Sequence, residues 1–161
     1  MFRHILVPID AHPACDHAAH HAFALNRALG GQITLLYVLE QETPPGRAAA
    51  QNRLKALSSE ARRPPVCAVV SVQDHTVLDN IGAYATLHRV GLIVLGIRGD
   101  GGLEDEALGK FAANLARISA VPVHLTTGRH RPFQSIPTGW QTLMELDPFQ
   151  RSGERDTQLS S

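Results

Sequence analysis

Two places in this chain pair a residue type suited to chemistry with a spacing that could use it. Gly96-Ile97-Arg98-Gly99 is followed, after nine intervening residues, by Gly109-Lys110. Glycine has no Cβ, so it permits positive φ and lets backbone N–H groups come close to a bound molecule. A helix starting near Gly109 would add unpaired N–H donors and a partial positive charge, which together favour a phosphate. The second place is Asp10, a carboxylate that ends the apolar run Ile5 to Ile9. The plainer reading of the first is a glycine-rich surface loop with no ligand, since Gly96, Gly99, Gly101 and Gly102 fall within one short stretch.

Other candidate groups are weaker. His17 and His21 are four apart, with Cys15, Asp16 and His20 nearby. Two ligands on one helix rarely hold a metal without a third from elsewhere, so a solvated or half-buried histidine face is expected and no metal site is assigned. Cys15 and Cys67 read as ordinary thiols in the core or near the surface. The chain has no Gly-x-Ser-x-Gly elbow, Walker motif, Cys-x-x-Cys pair or His-Glu-x-x-His helix. Nothing supplies a general base aimed at a water, so no catalytic residue is named and efficient hydrolysis is not expected.

The elements that must position these groups follow from periodicity. Short apolar runs at 5–9, 33–39, 66–72, 92–95 and 121–126 read as buried parallel strands. Helical patterns lie between them, over 13–29, 47–61, 76–90 and from about Gly109 to Ser119. Pro13 suits a first turn and Gly30-Gly31 a helix stop. Pro8 cannot donate to a ladder, so it belongs at the end of its strand, where the chain leaves the sheet. The βαβαβαβαβ alternation predicts an open, five-stranded, doubly wound parallel sheet with helices on both faces. Ligands of such sheets bind beyond the carboxyl ends of the strands where the order reverses. In the order 3-2-1-4-5, strands one and four are neighbours at that point, and Asp10 and Gly96 would face one crevice.

At 161 residues, with 15 basic and 15 acidic side chains, the chain fits one principal domain. Zero formal charge gives no footprint for nucleic acid or an anionic membrane, and no apolar run approaches a bilayer span. The first residues lack the long apolar stretch of a secretory signal, so a cytoplasmic location is the expectation. From residue 128 the composition turns polar. A short helix is expected over 138–146, where Thr138 and Gln141 have capping-box spacing, and disorder is expected at the end. That extension could dock on its own domain or serve as a hook for a protein partner.

The three-glycine spacing, the opening strand HILVPID and the run Leu35-Leu36-Tyr37-Val38 together resemble the universal stress protein family over residues 1–127. The resemblance implies an adenine nucleotide, AMP or ATP, in the crevice between strands one and four. Asp10 would accept from the adenine amino group, the Val38 backbone would meet the base edge, and Pro8 and Ile9 would line the base pocket. Leu95 and Gly96 would lie under the ribose and α-phosphate. Arg98 and Gly99 would hold phosphates, while Gly109, Lys110 and Phe111 would present a helix N-terminus to the phosphate tail. The resemblance also implies a homodimer through strand 121–126, a regulatory stress-response role, and at most slow ATP hydrolysis.

Three departures from the family pattern bear on the ligand. Lys110 stands where the family has Ser or Thr; an ammonium neutralises charge but cannot help hold Mg2+ as a hydroxyl can. Asp100, Glu104, Asp105 and Glu106 would repel a triphosphate by roughly 1 kcal/mol per close pair in water, or would hold a divalent cation. Ala11-His12 replaces the usual Gly-Ser after the aspartate. A monophosphate or cyclic nucleotide suits such a loop better than ATP. The alternative function is a dimeric interaction protein that keeps the fold without binding nucleotide.

Overall fold

A computed structural model describes residues 2–72, 74–97 and 103–127, all within the unit Met1–Arg129. The helix expected over 138–146, and the rest of 128–161, lie outside the described residues apart from their sequence. In chain order the elements are β1 (His4–Ile9), α1 (Ala14–Leu29), β2 (Gln32–Leu39), α2 (Pro44–Ser58), β3 (Val66–Ser71), α3 (Val77–Leu87), β4 (Leu92–Ile97), α4 (Leu103–Ser119) and β5 (Val123–Thr127). The strands form one five-stranded sheet in the order β3-β2-β1-β4-β5, parallel throughout. Fold class and strand order are those expected.

The alternation along β1 explains the two layers of core. Ile5, Val7 and Ile9 pack with Ala18, Ala19 and Ala22 of α1 and Leu54 and Leu57 of α2. Leu6 points the other way, to a cluster with Ile81 and Ala85 of α3 and Ala112 and Leu115 of α4. Two helices therefore cover each face, and Ile5, Leu6 and Val7 are fully buried. The weak apolar stripe of α2 is the part that is buried: Ala50, Leu54 and Leu57 are all at most 3% exposed. No helix among the described residues is long and apolar enough to cross a membrane.

Two helix starts differ from the sequence reading by more than one residue. α2 begins at Pro44, three residues earlier than expected, because Thr43 Oγ1 accepts from the Gly46 N–H at 3.1 Å and the prolines occupy the first two helical positions. Proline there gives up an N–H that has no helical partner anyway. The larger correction concerns α4, which begins at Leu103 rather than near Gly109. All but Asp105 of the residues Leu103 to Leu108 are good helix formers, and the acidic ones complement the helix N-terminus. Together they outweigh the roughly 1 kcal/mol that a glycine costs inside a helix.

α3 starts with a reciprocal cap. Asp79 N–H donates to Thr76 Oγ1 at 3.2 Å, while Thr76 donates its hydroxyl and its N–H to the Asp79 carboxylate at 2.7 and 3.1 Å. These bonds hold the Asp79 carboxyl below its ordinary value of 3.8. A depressed native pKa stabilises the fold above the unfolded value, and that stabilisation is lost as pH falls through the native one. Urea unfolding from pH 6 down into the acid range should therefore show a steeper loss for wild type than for Asp79→Asn, whose side chain does not titrate. Thr76→Ala, which removes the cap at every pH, should cost about 1 kcal/mol.

Candidate functional site

The cleft opens where β1 and β4 part. Their pairing is confined to Ile5 with Leu92 and Leu6 with Ile93, whereas β1 stays on β2 as far as Ile9 with Tyr37 and β4 stays on β5 as far as Ile97 with Thr127. Beyond Leu6 the two central strands diverge, and Pro8, which has no N–H, lies in the part that leaves. The resulting cleft is about 500 Å³. Pro8, Ile9, Leu95 and Gly96 line its floor, Val38 and Glu40 its β2 side, Val77 and Ile81 its α3 side.

Gly96 has a packing role that the sequence does not reveal. A Cβ there would sit 2.0 Å from the Ala14 carbonyl oxygen and 2.7 Å from its carbon. The first turn of α1 thus rests directly on the β4 backbone, and only glycine leaves room. Gly109 is different: a Cβ there would meet nothing within 4 Å. It lies six residues past the start of α4, so it does not present the helix N-terminus to the cleft. The α4 residues on the cleft wall are Ala107, Leu108 and Phe111, a single helical face. Lys110 is off that wall, 73% exposed and 3.0 Å from Glu106, one turn back. Arg98 and Gly99 lie outside the described residues.

Asp10 is at the mouth, held from several sides. Its Oδ1 accepts from the His12 N–H at 2.7 Å and from the Cys15 thiol at 3.1 Å. Its own N–H donates to Cys15 Sγ at 3.4 Å. His12 Nδ1 in turn accepts from the Ala14 N–H at 3.0 Å and supplies the α1 start with a cap. Burial is the main reason the Cys15 thiol is pushed up to about 12, with the Asp10 charge adding to it. The thiol therefore stays protonated and acts as a donor rather than a nucleophile.

From α2, Arg53 Nε donates to the Asp10 carbonyl and Nη2 to the His12 carbonyl, both at 3.2 Å, and the same guanidinium pairs with Asp16 at 2.6 Å. Sequence reasoning missed His12, Cys15, Glu40 and Arg53. Cys15 was within reach, being five residues past Asp10 at a helix start. Arg53 had no local signal, because it lies 43 residues away on another helix.

The histidines of α1 do not gather. His20 pairs with Glu60, and His21 stacks on His124 of β5 with ring centroids 4.9 Å apart. Desolvation, then the neighbouring His124, holds His21 below its ordinary value. Among the described residues no three His, Cys, Asp or Glu side chains form a metal-ligand group.

An open parallel α/β sheet with its cleft at the switch point is one architecture shared by many nucleotide-handling proteins. The family model of the universal stress protein family matches residues 1–127, and the chain belongs to that family. Solved structures agree on the fold. A universal stress protein family member from Burkholderia pseudomallei superposes with a TM-score of 0.62 at 20% identity, covering 78% of this chain and 96% of its own. A universal stress protein in complex with cAMP gives 0.62 at 17%, covering 78% and 97%. An Arabidopsis thaliana member with AMP bound gives 0.58 at 17%, covering 82% and 95%. No curated protein matches the sequence.

The two glycines should respond in opposite directions. Gly96→Ala must displace the α1 backbone and should destabilise by roughly 1–3 kcal/mol, as overpacking does. Gly109→Ala meets open space in a helix and should stabilise by about 0.5–1 kcal/mol. Chemical unfolding of both variants checks the contrast.

Proposed function

We propose that this chain is an adenine-nucleotide-binding regulatory protein that takes AMP, ATP or a cyclic adenine nucleotide in the strand 1/strand 4 crevice. The observation that carries the proposal is the cleft: a 500 Å³ cavity at the switch point, apolar on its floor, with the Asp10 carboxylate at its mouth. Pro8, Ile9 and Leu95 give a planar base an apolar bed. Asp10 accepts its amino group, the Val38 backbone meets its edge, and Gly96 lets the ribose lie near bare main chain. Phe111 closes the α4 side, and Arg98 and Gly99 are assigned to phosphate. Gly109 and Lys110 remain candidates for the phosphate end only if Lys110 gives up Glu106. Two structural relatives are described with cAMP and with AMP, which supports this ligand class.

Charge argues for a short phosphate tail. The described cleft wall carries Asp10 and Glu40 and, among the described residues, no Lys or Arg. At the phosphate end, the sequence's Asp100, Glu104, Asp105 and Glu106 would repel each further anionic phosphate, unless Mg2+ intervenes. The same observation is what favours the second reading, a dimeric interaction protein of this fold that binds no nucleotide. For either reading we assign the homodimer to β5, an edge strand whose Leu125 is 36% exposed, since an uncovered edge leaves backbone groups without partners.

Denaturing the purified protein and weighing what is released separates the readings: adenine nucleotide supports the first, and an apoprotein that also ignores added AMP and ATP supports the second. In calorimetry AMP should bind more tightly than metal-free ATP, and the reverse order would discard the charge argument. Asp10→Ala should weaken AMP about 10- to 100-fold, the usual worth of a hydrogen bond to a charged group. Leu125→Lys should turn a dimer in sedimentation into a monomer without unfolding it.

A further inference from the structure

Asp10 is exposed, at the start of a four-residue connection between β1 and α1. A carboxylate in such a place ordinarily samples several rotamers on a mobile loop. Here both the main chain and the side chain are restrained, by different partners. Arg53 spans from α2 to the Asp10 and His12 carbonyls, and its Nη2, which donates to His12, also lies 2.6 Å from Asp16 Oδ1 in an ion pair. A planar, always charged guanidinium can satisfy two carbonyls and a carboxylate together, and an ammonium cannot reproduce that geometry. Arg53 is itself anchored, because the turn of α2 that carries it also carries Leu54, 1% exposed in the core.

The side chain is restrained separately. Oδ1 is taken up by the His12 N–H and the Cys15 thiol, and among the described residues Oδ2 has no hydrogen-bond donor. The cleft therefore presents one acceptor in one orientation. That orientation matters for what the carboxylate can distinguish. An aminopurine offers an exocyclic N–H at position 6. An oxopurine offers a carbonyl there, which a carboxylate repels, but it also carries a ring N–H at position 1, next to that carbonyl. A carboxylate free to swing could reach the ring N–H and accept both bases. A fixed one accepts the amino group but faces the oxopurine carbonyl, acceptor against acceptor, and leaves that base without its partner.

We propose that Arg53 and Cys15 are positioning residues for base recognition: Arg53 holds the main chain of the β1–α1 connection, Cys15 holds the Asp10 carboxylate, and together they let the cleft distinguish aminopurine from oxopurine nucleotides. This rests on the reading that the cleft takes an adenine nucleotide. The thiol suits the task because it is buried enough to stay protonated, yet can both accept from the Asp10 N–H and donate to its carboxylate. Serine could take the same two roles and alanine neither.

The test is the ratio of IMP to AMP dissociation constants, measured by calorimetry on the full chain at a temperature where every variant is folded. Wild type should favour AMP at least tenfold. Arg53→Met and Cys15→Ala should each cut that ratio about fivefold or more, chiefly by letting IMP bind. Cys15→Ser should restore most of it, and Arg53→Lys only part. A residue that merely supports the fold would lower the melting temperature and leave the ratio unchanged, and that outcome overturns the proposal. If Arg53→Met does not fold, the Cys15→Ala and Cys15→Ser pair decides alone. A wild type that binds neither nucleotide overturns the nucleotide reading and this proposal with it, whereas an AMP preference that survives Asp10→Ala overturns this proposal only. A strong, Asp10-dependent preference that ignores Arg53 and Cys15 overturns this proposal only.

Discussion

The architecture of the cleft depends on one close contact, the Ala14 carbonyl lying against Gly96 where any Cβ would be 2.0 Å away. Through it the first turn of α1 sits on the carboxyl end of β4, although α1 follows β1 in the chain. Small residues continue the fit, since Ala18, Ala19 and Ala22 on the same helix are fully buried against the sheet. Close packing of this kind has little slack: interiors are as dense as organic crystals, and a single added methyl group is felt. With α1 pressed onto β4, the connection from β1 must turn sharply. Asp10 and His12 are brought to the mouth of the gap between the two strands.

A second constraint is electrostatic and comes from across the fold. The β1–α1 connection exposes carbonyl groups that water would otherwise satisfy, and Arg53 satisfies two of them from α2. The Arg53 side chain is 25% exposed and that of Asp16 35%, so their pair is worth less than its distance suggests, because solvent screens it. Its value is geometric. It joins α2 to the first turn of α1, and so ties the mouth of the cleft to the part of the molecule that carries the core. The described wall of the cleft is anionic through Asp10 and Glu40, whereas the protein as a whole is neutral. A ligand with donors on its ring and little negative charge fits that field.

The glycines divide by physical role rather than by motif. Gly96 serves protein packing whatever binds beside it. Gly31 has φ of +129° and lies where a Cβ would be 2.5 Å from the Arg3 carbonyl, so it too is needed by the chain itself. Gly109 is required by no neighbour within the described residues.

Periodicity alone determined the five strands, the four helices and their alternation, because buried parallel strands must be apolar on both faces and their helices must bury one side. It also singled out Asp10 and Gly96 as the unusual strand ends, while the family resemblance, not periodicity, named Pro8, Ile9, Asp10, Val38, Leu95, Gly96 and Phe111, all of which line the cleft. Only the tertiary structure decided the rest. The α4 start was hidden because Gly109 looked like a boundary, while the helix formers before it carried the helix back to Leu103. Lys110 was removed from the cleft wall by helical geometry, which sets Ala107, Leu108 and Phe111 on one face and turns position 110 to another. Arg53 and Cys15 were invisible as partners of Asp10, since a hydrogen bond between chain-distant residues leaves no periodic trace. Local pattern encodes which face of an element is buried; which side chains meet across the fold is settled only when the elements are packed.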